Sequence, residues 1–219
     1  SPRVWGTGFT RFVFLDNVQF SNKGLHDYQY IKSPGGRYRM RIPVKYNFGD
    51  NISDVLLNEE INWTSQHLRQ LEANYKRAPF FREVYSDFES LYVSEAVSLA
   101  QFNAQLITFV AAKFGLSNRF VFASGLNIEP KDKNGRIISV CKALEADVYY
   151  SGTGAAVYQD SETFHAAGVE LKYSVFQPFL YPQLWGEFDA GLSVVDYLMN
   201  CGYDWQRVLD NQKSNFEVT

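Results

Sequence analysis

The polar turn that follows the first predicted strand carries the side chains best suited to chemistry. Asp16 can bind a cation or a hydroxyl group, and Asn17 and Gln19 can each pair with an amide, a sugar or a base edge. His26 can act as a general base, because imidazole exchanges a proton near neutral pH. Asp27 is not expected to orient His26, since neighbouring residues of an extended chain point to opposite faces. We therefore take Asp16 and His26 as candidate catalytic residues, with a capped, solvent-exposed loop as the alternative.

A glycine-containing turn later in the chain is a candidate phosphate site. Ser151, Gly152 and Gly154 directly follow a short predicted strand, and backbone N–H groups in such a turn can bind a phosphate. The spacing matches neither GxGxxG nor GxxxxGK[ST], and no GxSxG motif surrounds Ser151. A tight strand-to-helix turn is therefore the alternative interpretation.

A β-hairpin with one basic face is predicted near the N-terminus. Residues 28–32 and 38–44 flank the turn sequence SPGG, which is typical of a hairpin. Arginines alternate with apolar residues over 37–42, so one face of the second strand is basic. The arginines either face solvent or bind an anion.

Polar residues on an otherwise apolar C-terminal helix need partners. Ser193, Asp196 and Asn200 are spaced to share one face of a helix predicted over residues 192–201. Burying them costs free energy unless another loop or a ligand bonds to them. The aromatic, proline-bounded segment 178–185 is either a sugar-binding or acyl-binding wall or a packed loop. His67 and His165 are expected on the solvent-exposed surface.

The order of the elements indicates how these side chains are positioned. Buried strands are predicted over 11–15 and 119–123, further strands over 148–150 and 169–173, and helices over 62–76, 80–92, 98–114, 135–146 and 161–167. The alternation in the second half predicts a mostly parallel sheet covered by helices, a Rossmann-like three-layer α/β fold with an N-terminal β-hairpin and a helical insertion at about 62–115. Ligands of such folds bind beyond the carboxyl ends of the strands, which selects the loops 16–25, 124–133 and 151–158.

Composition and charge exclude several classes of protein. The 219 residues are 46% apolar and 21% charged, which is typical of a globular protein, and we expect one domain over residues 1–219. A net charge of −3 argues against a nucleic-acid partner, and no apolar stretch is long enough for a membrane span. Cys141 and Cys201 form neither a zinc motif nor a disulfide framework, so we expect small buried thiols. We expect a cytoplasmic protein and assign no metal, cofactor or oligomeric state.

Five segments together resemble the WbqC-like family. They are FLDNVQFSNKG at 14–24, HDYQYIKSPGG at 26–36, YYSGTGAAVYQD at 149–160, YPQLWGEF at 181–188 and LSVVDYLMNCG at 192–202. The family usually opens with a strand, a His-Gln-Pro-like turn and a Pro-Trp-Leu-Gly segment. Residues 1–10 contain no histidine, so the family's N-terminal histidine is not assigned to any position of this sequence, whether the sequence is truncated or this loop has been lost; Trp5-Gly6 resembles part of that segment.

The resemblance implies a role in bacterial surface-polysaccharide biosynthesis, such as that of O-antigen, and in sugar modification. Family members are usually described as transferases. The polar motif positions that the resemblance carries over are Asp16, Gln19, Lys32, Ser151, Gly152, Tyr158, Tyr181, Gln183, Ser193, Asp196, Asn200 and Gly202.

The favoured hypothesis is a transferase that adds an acyl or aminoacyl group to the amine of a nucleotide-linked amino sugar. His26 would deprotonate the amine, Asp16, Asn17 and Gln19 would orient the sugar or the donor, and the SGTG amides with the hairpin arginines would hold a phosphate. One alternative is an enzyme resembling glycosyl- or nucleotidyltransferases. The other is a non-catalytic sugar-binding or protein-binding module of a biosynthetic complex.

Overall fold

Helices and short strands alternate along the chain in a mixed α/β fold. A computed structural model of the protein describes residues 11–93, 95–116, 119–128 and 132–212. The helices are α1 (Trp63–Tyr75), α2 (Phe81–Tyr92), α3 (Leu99–Lys113), α4 (Lys133–Ala143), α5 (Ser161–Ala166), α6 (Val194–Cys201) and α7 (Trp205–Gln212). The strands are β1 (Arg11–Phe14), β2 (Tyr28–Ser33), β3 (Gly36–Arg41), β4 (Val44–Lys45), β5 (Leu56–Leu57), β6 (Arg119–Phe122), β7 (Val148–Gly152) and β8 (Glu170–Ser174). Short 3-10 segments lie at Ile52–Asp54, Ala123–Gly125 and Thr153–Tyr158.

The chain divides into two compact units. The first contains the chain as far as Val121 together with Pro178–Trp205, and the second contains Phe122–Gln177 and the chain from Gln206 onward. Helices α1, α2 and α3 occupy the region predicted to be a helical insertion. That this region is an insertion into one domain over residues 1–219 stays a prediction.

The strands pair two by two. Within the described ranges, β2 and β3 are antiparallel, β4 and β5 are antiparallel, β7 and β8 are parallel, and β1 pairs with β6. The β7–β8 pair confirms that the second half of the chain forms parallel β-structure. A larger, mostly parallel sheet in a Rossmann-like three-layer arrangement stays a prediction.

The β2–β3 hairpin has the two faces that its sequence predicts. Ser33 pairs with Gly36, so Pro34 and Gly35 form the turn, and Gly36 has a φ of 98° that favours glycine. Met40 and Ile31 are buried, whereas the three arginines of β3 are exposed. Alternation along the strand therefore separates an apolar face from a basic one.

Local capping signals set the ends of the helices. The side chain of Asn62 accepts a hydrogen bond from Ser65 N at the start of α1, and Ser98 caps α3 in the same way. Gly115 ends α3 with a φ of 74°. Helix α4 begins two residues before the predicted position because Asp132 caps it. None of the helices in the described part of the chain has the length and hydropathy needed to cross a membrane.

His67 lies in the aromatic core of the first unit, so the prediction of an exposed histidine is wrong. Its ring contacts Trp63 and Tyr92, and the residue is only 7% exposed. His67 Nε2 lies 2.9 Å from the carbonyl oxygen of Arg41, which can only accept, so Nε2 carries the proton. Nδ1 then accepts from the Tyr92 hydroxyl at 3.3 Å. The helical spacing of α1 places His67 on the face that packs inward.

The β1–β6 pair is more exposed than predicted. Both strands were expected to be buried, but Phe12 is 44% exposed. The rings of Phe12, Phe14 and Phe120 contact one another at centroid distances of 5.2 to 5.8 Å. Ring–ring contacts therefore hold the pair together, and aromatic and branched residues alone do not specify a central strand.

The second unit has its own apolar core. Ile138, Cys141, Phe164 and Val169 form a buried cluster, and Tyr149 stacks on Phe164. The parallel β7–β8 pair is thus covered by α4 and α5. Cys141 and Cys201 are both buried free thiols, as predicted.

The burial of His67 makes stability depend on pH. Burial lowers the pKa of His67 because it penalises the imidazolium form. Its contribution to the free energy of unfolding is complete above the ordinary pKa of 6.5 and is lost as the pH falls toward the lowered pKa of the folded state. When the pH is lowered from about 8 to about 5.5, we expect the free energy of unfolding of His67→Gln to fall less than that of the wild type, as measured by urea denaturation.

Exposed His165 supplies the matched control for this measurement. His165→Gln is expected to follow the wild-type pH dependence. An unchanged pH dependence in His67→Gln would contradict the assignment.

Candidate functional site

The residues selected from the sequence fall into three groups. The first group, in the first unit, contains Lys32, Tyr181, Gln183, Ser193, Asp196 and Asn200. The second group, also in the first unit, contains Asp16, Asn17, Gln19 and His26. The third group, in the second unit, contains Ser151, Gly152, Gly154 and Tyr158.

Asp196 is the centre of the first group. Its side chain is 0% exposed, and each carboxylate oxygen accepts a hydrogen bond from a tyrosine. The Tyr75 hydroxyl lies 2.7 Å from Oδ1, and the Tyr181 hydroxyl lies 2.9 Å from Oδ2. Sequence reasoning left open whether a ligand or another segment bonds to Asp196, and the structure supplies two protein partners.

Burial sets the proton affinities within this group. The pKa of Asp196 is raised, because burial penalises the carboxylate more than the hydrogen bonds from Tyr75 and Tyr181 favour it. Burial and the nearby carboxylate also raise the pKa of both tyrosines. The phenols therefore stay protonated and act as donors to Asp196.

Lys32 is buried next to this carboxylate and fixes the segment that follows Tyr181. The residue is only 3% exposed, and its ammonium donates to Gln183 Oε1 at 2.9 Å and to the carbonyl oxygen of Glu187. Its backbone N–H donates to the Tyr75 hydroxyl at 2.9 Å. Tyr75 thus joins Lys32 to Asp196. Sequence reasoning missed this role because Tyr75 fits the apolar face of α1 equally well.

The segment 181–189 is held in an unusual conformation. Gln183 Nε2 donates to the carbonyl oxygen of Asp189 at 3.0 Å, and Asp189 N donates to Gln183 Oε1 at 2.9 Å. Trp185 has a φ of 65°, which is strained for a bulky residue, and its Nε1 donates to the carbonyl oxygen of Asn74 at 2.9 Å. This side-chain anchoring stabilises a backbone that the local sequence alone disfavours.

Helix α6 joins the first group to the hairpin. The Ser193 side chain accepts from Val195 N, and its backbone N–H donates to the carbonyl oxygen of Tyr30 at 2.8 Å. Ser193 is therefore the N-cap of α6, which begins two residues after the predicted start at residue 192. Asn200 Nδ2 donates to the carbonyl oxygen of Asp196 at 2.7 Å, as the four-residue spacing allows.

The second group lies on a turn that is tied to the segment 50–53. Ser53 N donates to the carbonyl oxygen of Asp16 at 2.8 Å, and Ile52 N donates to that of Val18 at 2.9 Å. Asp16 is buried, whereas Gln19 is exposed and forms an isolated antiparallel β-bridge with Asn51. In the ranges that the structure describes, no group of three or more His, Cys, Asp or Glu side chains is arranged to hold a metal ion.

His26 is positioned by packing. Its half-buried ring lies against Phe20 at a centroid distance of 6.1 Å, and a Cβ on Gly24 would lie 2.6 Å from the ring. Gly24 must therefore be glycine for this ring position. Asp27 Oδ2 bonds to Arg41 Nε at 2.7 Å, which confirms that Asp27 does not orient His26.

The third group is not the tight loop that its sequence predicts. Ser151 and Gly152 belong to β7, where they pair with Tyr173 and Ser174 of β8. Ser151 is buried, and its hydroxyl donates to the carbonyl oxygen of Gly152 at 3.3 Å. Pairing with β8 therefore extends the strand by two residues, and a 3-10 helix follows directly.

The backbone at the end of β7 and just beyond it has open space on one side. Gly152 and Gly154 are exposed, and a Cβ on either glycine would meet no atom within 4 Å. Lys133 lies near this turn, with its ammonium 4.9 Å from the centre of the Tyr158 ring. No sequence motif indicated that Lys133 lies near this turn, because only the fold brings α4 beside it.

Two predicted features fall outside the described residues. Residues 1–10, with the Trp5-Gly6 segment, are among those that the structure leaves undescribed, as are residues 129–131 of the candidate loop 124–133.

The Tyr75 hydroxyl is expected to contribute substantially to stability. Tyr75→Phe leaves Asp196 Oδ1 and the backbone N–H of Lys32 without this partner in a buried environment. We expect the free energy of unfolding to fall by about 1–3 kcal/mol, measured by urea denaturation. The exposed Tyr38→Phe is the matched control and should change stability little. Equal stabilities of the two variants would contradict a structural role for the hydroxyl.

Comparison with known proteins confirms the resemblance carried by the five motifs. Residues 9–208 match the model of the WbqC-like protein family. The uncharacterized protein Rv1507c of Mycobacterium tuberculosis is 28% identical over 196 residues, which cover 87% of this chain and 84% of that protein. No solved structure matches the chain. The family match includes the residues of all three groups, and the chain belongs to the WbqC-like protein family.

Proposed function

We propose that this protein is a transferase that modifies a nucleotide-linked sugar in bacterial polysaccharide or glycan biosynthesis. The favoured reaction is transfer of an acyl or aminoacyl group to the amine of an amino sugar, in the cytoplasm. Family membership supports a role in sugar modification. The observation that carries the proposal is the first group, in which family motif positions from β2, the segment 181–189 and α6 form one hydrogen-bonded cluster.

In this proposal the first group positions the side chains that contact the substrate and takes no part in the bond-forming step. A buried, fully hydrogen-bonded network fixes one arrangement of the segments that it joins. Lys32 and Asp196 hold the half-buried side chains of Tyr181 and Gln183 in place. Sites built on such supports hold substrates with the accuracy that group transfer needs.

His26 is the proposed general base. Among the described residues, no side chain or backbone group hydrogen-bonds to its ring nitrogens, so they are available to a substrate. In the proposed step the sugar amine attacks the acyl carbon and the new N–C bond forms. His26 accepts the proton from that nitrogen and returns it to the leaving atom of the donor, whose bond to the acyl carbon breaks.

The remaining candidates take binding roles. Asn17 and Gln19 orient the sugar or the donor, and the buried Asp16 supports their turn. In the second unit taken by itself, the exposed backbone of Gly152 and Gly154 can bind a phosphate.

A non-catalytic sugar-binding module is the second candidate. It is favoured by the internal hydrogen bonds of the first group, in which Asp196 and Lys32 already have protein partners. The two candidates differ in one observable, which is the formation of a covalently modified sugar.

Turnover tests the proposal directly. The full chain is incubated with nucleotide-linked amino sugars and with acyl or aminoacyl donors, and the sugar is followed by mass spectrometry. A mass gain equal to the transferred group is expected, and His26→Ala should lower the rate about 100-fold or more, as loss of a general base does. His165→Ala is the matched control and should retain the wild-type rate.

Two outcomes contradict the transferase. One is the absence of product with every donor. The other is sugar binding without product that His26→Ala leaves unaffected, which would identify the binding module.

A further inference from the structure

The basic face of the β2–β3 hairpin carries a guanidinium that no carboxylate of the described residues neutralises. Residues paired directly across an antiparallel sheet share a face. Three pairs build this face: Tyr28 with Arg41, Tyr30 with Arg39, and Lys32 with Arg37. The face therefore presents four cations and two phenol rings on one side of the hairpin.

Internal partners neutralise both ends of the face. Arg37 Nη2 lies 2.6 Å from Asp189 Oδ1 and also donates to the carbonyl oxygen of Ala190. Arg41 Nε lies 2.7 Å from Asp27 Oδ2. Lys32 is buried beneath the segment 181–189. These cations are therefore already engaged by groups of the protein.

Arg39 lies between the two paired arginines and differs from them. It is exposed, and its Cζ lies 4.6 Å from the centre of the Tyr28 ring. In the described part of the chain no carboxylate lies within ion-pair distance of Arg39. Stacking on the ring orients the guanidinium but leaves its N–H groups free to donate.

Two phenols flank this guanidinium. The rings of Tyr28 and Tyr30 meet edge to face at 5.7 Å, and both residues are half-buried. Neither hydroxyl has a hydrogen-bond partner among the residues that the structure covers. The middle of the face thus combines a guanidinium fork with two hydroxyl donors, and its unbalanced charge is positive.

We propose that Arg39, Tyr28 and Tyr30 bind a phosphate group of the nucleotide-linked sugar. The identity of the ligand rests on the function proposed above, whereas the phosphate chemistry rests on the face itself. A planar guanidinium donates two parallel hydrogen bonds to phosphate oxygens, and the hydroxyls donate to the remaining oxygens. Asp27 and Asp189 neutralise one arginine each, so the charge left at Arg39 complements a compact anion.

Calorimetric titration of the full chain tests the inference. The probes are inorganic phosphate, a sugar 1-phosphate, uridine diphosphate and, as a probe without phosphate, N-acetylglucosamine. We expect Arg39→Gln to weaken the binding of uridine diphosphate at least about tenfold. Arg82→Gln, which removes an exposed arginine from α2, is the matched control and should bind like the wild type.

Further variants separate the contributions to the site. Tyr28→Phe and Tyr30→Phe keep the rings and remove the hydroxyls, and each should weaken binding about threefold to tenfold. Arg39→Lys keeps the charge without the fork and should bind more weakly than the wild type but more tightly than Arg39→Gln. Unchanged circular dichroism melting curves would show that the variants fold.

Several outcomes overturn the inference. They are a wild type that binds none of the phosphate probes, and an Arg39→Gln variant that binds them like the wild type. Binding of inorganic phosphate as tight as that of uridine diphosphate would overturn the nucleotide as the source of the phosphate. Transfer activity without Arg39-dependent binding refutes this inference alone. Arg39-dependent binding without transfer refutes the proposed function alone.

Discussion

The buried carboxylate of Asp196 is the constraint on which the arrangement of the first unit depends. Removing a carboxylate from water is costly unless hydrogen-bond donors compensate for the lost hydration. For Asp196 those donors are the hydroxyls of Tyr75, on α1, and of Tyr181, which lies 15 positions before Asp196. Helix α1, which is distant in sequence, and the segment that contains Tyr181 must therefore both pack against α6 before the burial of Asp196 is tolerated. The raised pKa of Asp196 indicates that burial still outweighs the help of its partners.

The same constraint determines which cations of the hairpin remain available. Tyr75 also accepts from the backbone of Lys32, which places β2 beside α1 and brings the lysine side chain to the segment 181–189. That segment ends at Asp189, whose carboxylate takes Arg37. One network thus fixes the segment 181–189, buries Lys32 and neutralises Arg37. Among the described residues, this network does not include Arg39.

Local signals in the sequence predicted the elements well and the long-range contacts poorly. Asn62 and Ser98 cap their helices through bonds to residues three positions away, so a short stretch of sequence contains the whole interaction. Tyr75 and Asp196 are 121 positions apart, and no local pattern distinguishes a phenol that bonds to a carboxylate from one that packs in a core. His67 was misplaced for the same reason, because its partners Arg41 and Tyr92 belong to other elements.

The net charge of the chain and the charge of its hairpin lead to different expectations, and the pairing of the arginines reconciles them. A formal charge of −3 argues against a polyanionic partner, because such binding needs many cations that act together. The hairpin concentrates cations on one face, but Asp27 and Asp189 neutralise all of the exposed arginines except Arg39. A single guanidinium supported by two phenols suits one phosphate group and offers little to a long backbone of phosphates. Overall charge therefore argues against a large polyanion, while local pairing leaves Arg39 for the small anion proposed above.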